Sequence, residues 1–550
     1  MIALFLLAAL LVPAVPADAA NGCATPIVRT ESGRLCGNAT TGGTPGGTAR
    51  PILEYLGIPY AAPPTRERRW AAPVAPEPWE EVRDAKQFGP SCPQNLSPGV
   101  RAATSEDCLS LNVWTPNRGG SLPVLVFLYG GSFVHGGTAA PVYDGANLAG
   151  AGPVVVVTLN YRLGALGFLA GLGPFDGNYG LLDQQLALRW VRENIPGFGG
   201  DPNRVTLFGQ SSGAMSVGIH LAAGSSRPLF RAAILESNPY GIPYKTREQA
   251  GAYASTLAGH LECVPQADPV SCLRAKSVEQ ILAAQKKVPL LEPLLLGLAS
   301  FVPWGPVVGT PPLERQPNET RIDKPVILGT NRNDGALFVA MQERSIGEIG
   351  EVKYVMETDV AYGERGSAVR KFYAGPEAPT KRGKLASTPT PPTPAESLSR
   401  IVTDDLFTCA NRYMLGRASV PIWGYQFVYP PSFSVWPSFP ICAPETRRVC
   451  HAAELPFVFG NPFPPQLDAK QASFTKVEER LSGDMMRLWT GFATNLVPPE
   501  ESPTWVAFTA DDPFRLLIGD PMDSSFDLVA RCRFWDALGY DRSGPLAALF

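Results

Sequence analysis

Five consecutive residues, Gly209-Gln210-Ser211-Ser212-Gly213, constrain the fold of this chain more than any other stretch. Residues 204–208 before them are rich in β-branched and apolar side chains, which predicts a short buried strand. Residues 214–221 after them are mostly apolar and predict a buried helix. A serine on so sharp a strand-to-helix turn projects its hydroxyl out of the sheet, and side chains at the two outer glycines would collide with the turn. An ordinary Gly/Ser turn is the alternative, because the chain contains 54 glycines.

The remaining pattern predicts an α/β fold. Residues 122–128 and 153–159 are near-continuous apolar runs, which indicate strands covered on both faces, as in a parallel sheet flanked by helices. Residues 105–116 predict another strand, residues 178–191 have helical periodicity, and residues 326–330 predict a later strand. This alternation is typical of α/β proteins, and it favours one large domain over 20–550, although a chain of 550 residues would by length alone suggest several.

Three segments are expected to be less regular. Residues 24–60 contain short strands joined by turns, and the proline-rich stretch 57–64 is expected to lie extended over a surface without an element of its own. The stretch 374–397, rich in Pro, Thr, Lys and Ala, predicts an exposed flexible loop.

Residues 1–19 predict a secretory signal peptide. The apolar run over residues 2–12 is too short to span a bilayer, and Ala17-Asp18-Ala19 supplies a cleavage site of the small-x-small type. A buried N-terminal helix is the alternative, because no positive charge precedes the run. We see no other segment that would span a membrane, so the expected location is secreted or periplasmic.

Net charge and cysteine content narrow the expected partners, cellular compartment and metal content of the protein. The formal net charge is −3, so no basic excess favours nucleic acid or an anionic membrane as a partner. Ten cysteines, an even number, fit an oxidising compartment. A zinc site is the competing interpretation, but the chain has no C-x-x-C and only four histidines, so we expect no metal and no cofactor. Local spacing suggests the pairs Cys23 with Cys36, Cys92 with Cys108, Cys263 with Cys272 and Cys442 with Cys450, which leaves Cys409 for Cys532.

A glycine-rich turn, Tyr129-Gly130-Gly131-Ser132-Phe133, follows the first apolar run. Such a turn can point backbone N–H groups into a cleft. Acyl transfer needs donors of this kind where the tetrahedral oxyanion forms, and losing one costs on the order of 10² to 10³ in rate. A plain tight turn is the alternative.

Several motifs, in a fixed order, resemble the type-B carboxylesterase/lipase family of α/β-hydrolases, which includes the cholinesterases. The resemblance runs from about Gly57 to Trp535. It implies an α/β-hydrolase fold, with a large, mostly parallel central sheet flanked by helices and a small N-terminal antiparallel sheet. The motifs are residues 106–109, 160–164, 177–184, 198–202, 209–213 and 450–459.

The resemblance implies a triad of Ser211 as nucleophile, Asp334 as acid and His451 as base. A serine hydroxyl is a poor nucleophile until a base takes its proton, and the base needs a carboxylate to fix its tautomer. The family acid is often Glu, one methylene longer than the Asp of this chain.

The other three histidines have different expected roles. His220 follows the serine turn and is expected in the core or at the surface. His260 lies in a polar helical stretch and is expected to be solvated, whereas His135 lies in the glycine-rich loop and is a candidate to line the cleft. Only His451 adjoins an apolar, strand-like segment in the family context.

The resemblance also assigns supporting roles. It implies oxyanion donors at the N–H groups of Gly131, Ser132 and Ser212. Ser237 matches a buried serine that supports the acid, with a core hydroxyl bonded to backbone as the alternative. The disulfides Cys92–Cys108, Cys263–Cys272 and Cys409–Cys532, and the structural ion pairs Arg69–Glu106 and Arg162–Asp183, follow the family pattern.

Three further residues are predicted to shape the substrate pocket. Gln210 replaces the carboxylate that cholinesterases carry before the nucleophile, and the stretch 93–107 contains no aromatic side chain that would hold an ammonium. Tyr244 and Trp304 match the region in which the family builds its acyl pocket.

The predicted function is that of a serine carboxylester hydrolase acting on a small-molecule ester. A lipase acting on water-insoluble esters is the alternative among enzymes, because the apolar stretch 288–296 would suit a long acyl site or an interfacial flap; a packed core segment explains it equally well. A non-catalytic, neuroligin-like binding protein is the alternative from another class, and the presence of all three triad residues argues against it.

Overall fold

The computed structural model describes residues 23, 25–95, 103–116, 119–288, 302, 304–375, 391–464, 470–499, 505–509, 513, 515–525 and 528–540. The predicted signal peptide therefore lies outside the described residues. The strands are β1 (Val28–Arg29), β2 (Arg34–Cys36), β3 (Asn38–Gly42), β4 (Arg50–Pro59), β5 (Val82–Asp84), β6 (Ser110–Thr115), β7 (Leu122–Leu128), β8 (Val155–Leu159), β9 (Gly200–Gln210), β10 (Ala232–Glu236), β11 (Val326–Asn331), β12 (Ile422–Phe427), β13 (Arg515–Ile518) and β14 (Asp523–Ser525).

Helices connect these strands and cover the sheet. A π-helical turn, Thr403–Thr408, joins the helix Pro394–Val402 to the helix Cys409–Leu415. The α-helices are α1 (Ala146–Ala151), α2 (Gly164–Phe168), α3 (Tyr179–Asn194), α4 (Ser212–Ala222), α5 (Arg247–His260), α6 (Pro269–Ala275), α7 (Val278–Lys287), α8 (Asp334–Ile346), α9 (Glu351–Tyr362), α10 (Gly366–Tyr373), α11 (Pro394–Val402), α12 (Cys409–Leu415), α13 (Leu455–Phe459), α14 (Lys476–Asn495) and α15 (Leu528–Leu538).

Eleven of the described strands form one sheet in the order β14-β13-β12-β11-β10-β9-β7-β8-β6-β4-β3. The seven strands from β13 to β8 in that order are parallel, and the outer pairings are antiparallel. β8 is buried at every position, and β7 at every position but its first, as expected for strands covered on both faces. The predicted α/β-hydrolase fold is thus confirmed. The carboxyl ends of parallel strands share one sheet edge, where such folds bind ligands.

The predicted small N-terminal sheet is also present. β1 pairs antiparallel with β2, but β2 pairs parallel with β5, so the sheet is mixed rather than antiparallel. The chain can make this parallel pairing because a long connection that includes β3 and β4 separates the two strands.

Two expectations about irregular segments need correction. Residues 57–59 are the end of β4 rather than a segment without an element, because a bulge between Tyr55 and Ile58 lets the strand continue past Gly57, whose φ is 67°. Residues 394–397, expected in a flexible loop, begin α11. Thr393 and Glu396 cap that helix reciprocally. Residues 376–390 of the predicted loop lie outside the described residues.

Covalent and ionic ties hold the connections in place. The structure joins the ten cysteines as Cys23–Cys36, Cys92–Cys108, Cys263–Cys272, Cys409–Cys532 and Cys442–Cys450. Arg162 and Asp183 form a buried ion pair at 2.7 Å, and Arg69 pairs with Glu106 at 2.6 Å. Within the described residues, no helix is both long and apolar enough to cross a membrane.

Candidate active site

Ser211 lies on the turn between β9 and α4. Its backbone φ is 58° and ψ is −126°, a strained conformation for a residue with a side chain. A Cβ on Gly213 would lie 1.9 Å from the Leu128 carbonyl oxygen, and one on Gly209 would lie 2.7 Å from the carbonyl carbon of Gly213. Both glycines are therefore required by close backbone packing, which holds the serine at the carboxyl edge of the sheet.

The loop after β7 approaches the same point. Gly131, Ser132 and Phe133 all have positive φ, of 120°, 55° and 60°, so this turn is sharply bent. The Phe133 N–H donates to Ser212 Oγ at 3.3 Å, which ties the loop to the start of α4. Within the described part of the chain, the N–H groups of Gly131, Ser132 and Ser212 donate to no protein acceptor. They are thus available to a ligand.

Asp334 is the first residue of α8, which follows β11 at the same sheet edge. Its side chain is fully buried, and its Oδ2 accepts hydrogen bonds from Ser237 Oγ at 3.0 Å and from the Asn331 N–H at 2.8 Å. Its Oδ1 is 2.8 Å from His451 Nδ1. The shorter aspartate side chain reaches the histidine, and Ser237 contacts the acid rather than only backbone.

His451 is buried in a turn just before α13. The aromatic rings of Phe338 and Phe407 lie against the imidazole, with centroids at 4.9 and 5.4 Å. Trp436 Nε1 donates to the His451 carbonyl oxygen at 2.6 Å. The apolar segment that follows is the short helix α13 and not a strand, so that expectation is wrong: Pro456 suits the first turn of a helix, and the run is too short for periodicity to decide.

The other histidines stand apart from this pair. His220 is fully buried and hydrogen-bonds to Ser226 and Gln184, and burial lowers its pKa to about 4, so it is a neutral core residue. His260 and His135 are exposed. No group of three or more potential metal-ligating side chains occurs among the described residues.

Ser211 opens onto an apolar cavity with about 320 Å³ of empty space, a volume that includes open solvent at its mouth. The aromatic walls, Phe338 and Phe407, are the same rings that pack on His451. Sequence reasoning missed the apolar walls of the cavity, because they come from distant segments. The local indications available were Met215, one helical turn after Ser211, and Phe338, one helical turn after Asp334. The lining residues are Ser132, Ser211, Ser212, Met215, Pro239, Ile242, Val302, Phe338, Leu406 and Phe407.

The three residues predicted to shape the pocket lie elsewhere. Gln210 is buried, with its amide nitrogen 3.1 Å from His451 Nε2. The Tyr244 hydroxyl donates to the Met215 carbonyl oxygen at 3.3 Å, which places it behind the cavity wall. Trp304 is buried against Tyr253, with ring centroids 6.3 Å apart. None of the three lines the cavity.

Two buried glutamic acids lie behind the histidine and aspartate. Glu454 accepts a hydrogen bond from Asn331 Nδ2, and Glu236 accepts one from Trp489 Nε1 at 2.6 Å. Burial, followed by the nearby charge of Asp334, raises the pKa of Glu454 to about 8. Burial, followed by the charge of Glu454, raises the pKa of Glu236 as well. Glu454 therefore holds its proton at neutral pH, and Glu236 loses its proton less readily than a free glutamic acid.

Replacing Glu454 by Gln is expected to preserve activity at pH 7, because the amide mimics a carboxyl that is already protonated. A carboxyl whose pKa is raised by folding contributes stability that is lost as the pH rises through its folded pKa. The contribution of Glu454 to the wild-type Tm should thus be lost progressively as the pH rises from its ordinary pKa of 4.5 to about 8, and the Tm of the variant should fall less over that range. Melting curves between about pH 4 and 9 test this, and parallel losses would contradict it.

Comparisons with known proteins show which family the chain belongs to. Residues 24–535 match the model of the Carboxylesterase family. The chain is 35% identical to the para-nitrobenzyl esterase of Bacillus subtilis (strain 168) over 88% of this chain and 92% of that protein. It is 32% identical to the cholinesterase of Mus musculus over 92% of this chain and 86% of that protein.

A solved structure shows the same likeness in three dimensions. A PNB esterase superimposes with a TM-score of 0.76 at 31% sequence identity, and the match covers 92% of this chain and 98% of that one. The family match spans nearly all the described residues, including the serine turn, the acid and the histidine. The chain therefore belongs to the carboxylesterase family and is a carboxylic ester hydrolase.

Proposed function

We propose that this protein is a secreted or periplasmic serine esterase that cleaves neutral carboxylic esters through an acyl-enzyme intermediate. The observation that carries the proposal is the buried Asp334–His451 hydrogen bond at 2.8 Å, beside a strained serine that opens onto an apolar cavity. A nucleophile, an oriented base and a site for the acyl group are the parts that acyl transfer requires.

In the acylation step, Ser211 Oγ attacks the ester carbonyl carbon while His451 Nε2 takes the hydroxyl proton. Asp334 stabilises the imidazolium that forms, and the carbonyl oxygen becomes an oxyanion. The N–H groups of Gly131, Ser132 and Ser212 are the proposed donors to that oxyanion. When the tetrahedral species collapses, the bond to the alkoxy oxygen breaks, and the departing alcohol takes the proton from His451.

In the deacylation step, water repeats the attack on the acyl-serine. His451 accepts the proton of the water and then returns it to Ser211 Oγ, so the carboxylic acid leaves and the serine is regenerated. Ser211 Oγ makes no hydrogen bond to His451 in the described part of the chain. Such contacts are often long without substrate and tighten in the reacting complex.

The cavity wall supports a neutral, apolar acyl group. Besides the serines, the described residues of its lining are aliphatic or aromatic, and none of them carries a charge. Two of the lining residues, Leu406 and Phe407, belong to the π-helical turn. Turns of this kind are frequent at functional sites.

A neutral ester is expected to be preferred over a choline ester of equal acyl length. Gln210 offers no negative charge, and residues 93–107 contain no aromatic side chain. An ammonium therefore forgoes the cation–π contact that an aromatic in that stretch would give, roughly 0.5–2 kcal/mol, or a factor of about 2 to 30. The measurement is kcat/KM for butyrylthiocholine against a neutral butyryl thioester with a leaving group of similar acidity. Preference for the choline ester would reveal a cation site and contradict this selectivity.

The lipase alternative is tested with a panel of p-nitrophenyl esters of increasing acyl length and a triglyceride emulsion. Of the apolar stretch 288–296 that motivated it, residues 289–296 lie outside the described residues. We expect short and medium acyl chains to be hydrolysed best, because the cavity is small. Higher activity on the emulsion than on dissolved esters would favour the lipase.

Export is supported by the disulfides. Five pairs in one chain are typical of an oxidising compartment, in keeping with a signal peptide over residues 1–19. Sequencing the amino terminus of the exported protein tests this part of the proposal, and the expected first residue is Ala20.

A further inference from the structure

The side chain of Gln210 lies between the glycine-rich loop and the histidine. Gln210 ends β9 directly before Ser211 and is 3% exposed. Its amide nitrogen is 3.1 Å from His451 Nε2. A Cβ on Gly130 would lie 2.9 Å from Gln210 Oε1, so the carbonyl end of the amide packs against that glycine. The amide thus bridges the loop after β7 and the imidazole.

The contacts of the ring decide which end of the amide meets it. His451 Nδ1 is 2.8 Å from Asp334 Oδ1, and a carboxylate only accepts, so Nδ1 carries the ring proton. His451 Nε2 then has a lone pair and needs a donor, which assigns the N–H group of the Gln210 amide to it. Because Ser211 Oγ makes no hydrogen bond to the ring in the described residues, Gln210 is the group that engages Nε2 at rest.

None of the acidic side chains described below contacts His451 Nε2 in place of the Gln210 amide. Asp334 faces Nδ1 from the start of α8. Burial raises the pKa of Glu454, from the turn that carries the histidine, to about 8, and it also raises the pKa of Glu236, from the end of β10. Tyr425 of β12 and Tyr143 are further titratable neighbours of these acids, and burial raises the pKa of each tyrosine. At Nε2 the ring meets a neutral amide.

We propose that Gln210 is a positioning residue of the hydrolase: its amide holds His451 Nε2 in place, and it sets no charge beside the ring nitrogen that accepts the serine proton. This inference rests on the proposed function, since it takes His451 as the base. An amide donor stabilises the neutral ring, whereas a carboxylate of the same shape would stabilise the imidazolium. The identity of this one side chain then sets the lowest pH at which the enzyme works.

The test is Gln210→Glu, which changes the charge and almost nothing in shape. The acidic limb of the pH profile of kcat/KM is expected to move to higher pH by roughly one to three units, the effect of an opposite charge at this distance. The matched control is Gln87→Glu, which adds the same charge at an exposed position. Its profile should match the wild type, and equal profiles for the two variants would overturn the proposal.

A readout without turnover separates this inference from the proposed function. The chain has only four histidines, so imidazole ¹³Cε1–H signals can be assigned with single-histidine variants and titrated by NMR. The midpoint of the His451 signal should rise in Gln210→Glu and not in Gln87→Glu. An unchanged midpoint would overturn the role of Gln210, whereas a shifted midpoint in an enzyme whose Ser211→Ala variant still turns over would overturn the proposed function.

A second variant covers the possibility that a buried glutamate prevents folding. Gln210→Met keeps the length of the side chain but removes the donor and adds no charge. Its kcat is expected to fall by about tenfold or more at unchanged KM, because a less firmly held base misplaces the proton transfer. An unchanged kcat across the pH range would show that the amide does not position the ring.

Discussion

Replacing Ser211 by alanine is expected to leave a folded protein whose ester hydrolysis is lower by a factor on the order of 10⁶, the loss recorded for the same change in another serine hydrolase. The fold should survive because the Ser211 side chain makes no hydrogen bond in the described part of the chain, and alanine removes only the hydroxyl. The backbone strain at φ 58° remains in the variant, since its neighbours impose it.

The measurement is kcat with a p-nitrophenyl ester, accompanied by a melting curve. A fluorophosphonate probe should label Ser211 in the wild-type protein and nothing in the variant. Ser212→Ala is the matched control: its hydroxyl accepts from the Phe133 N–H, but its proposed oxyanion donor is backbone, so the loss should be far smaller. Labelling at Ser212, or an active Ser211→Ala protein, would show that the nucleophile lies elsewhere.

Replacing Asp334 by asparagine is expected to lower kcat by about 10⁴, as in another catalytic triad. The structure supplies the reason. Two donors, Ser237 Oγ and the Asn331 N–H, converge on Asp334 Oδ2, so the asparagine oxygen should take that place. Its NH₂ group would then face His451 Nδ1 and force the ring proton to Nε2, where it blocks acceptance from the serine.

Glu454→Gln is the matched control for this second variant, because it makes the same chemical change in a neighbouring buried carboxyl that bonds Asn331 rather than the imidazole. Its kcat at pH 7 should stay near the wild-type value while that of Asp334→Asn collapses. If kcat falls less than tenfold in Asp334→Asn and falls further in Glu454→Gln, Glu454 is the acid and the assignment of Asp334 is wrong.

Local sequence patterns predicted several elements of the fold. The apolar runs that predicted strands at 122–128 and 153–159 correspond to β7 and β8, because a strand buried on both faces needs apolar side chains at every position. The five-residue serine turn was recognisable because its two glycines are enforced by contacts below 3 Å. Asp334 was assigned only through the order of several family motifs, and His451 through that order and through comparison with the other three histidines.

Other features depended on contacts between segments far apart in the chain. The cavity takes Met215 from α4, Phe338 from α8 and Phe407 from the π-helical turn, and no spacing in the sequence relates these positions. Tyr244 and Trp304 each lie two residues along the chain from a residue that lines the cavity, Ile242 and Val302 respectively. Tyr244 nevertheless hydrogen-bonds to the Met215 carbonyl oxygen, and Trp304 packs on Tyr253. Packing direction, which a linear pattern does not contain, decided those placements.

By itself the sequence determined the alternation of buried strands and helices, the sharp turn at Ser211 and the family, because each is encoded in residues that are neighbours along the chain. Only the tertiary structure decided that Gln210 meets His451 Nε2, that α13 is a helix and that Asp334 rather than Glu454 faces the imidazole. These outcomes depend on which side chains the sheet edge brings within 3 Å of one another, and that distance is set by the packing of strands and helices from across the whole domain.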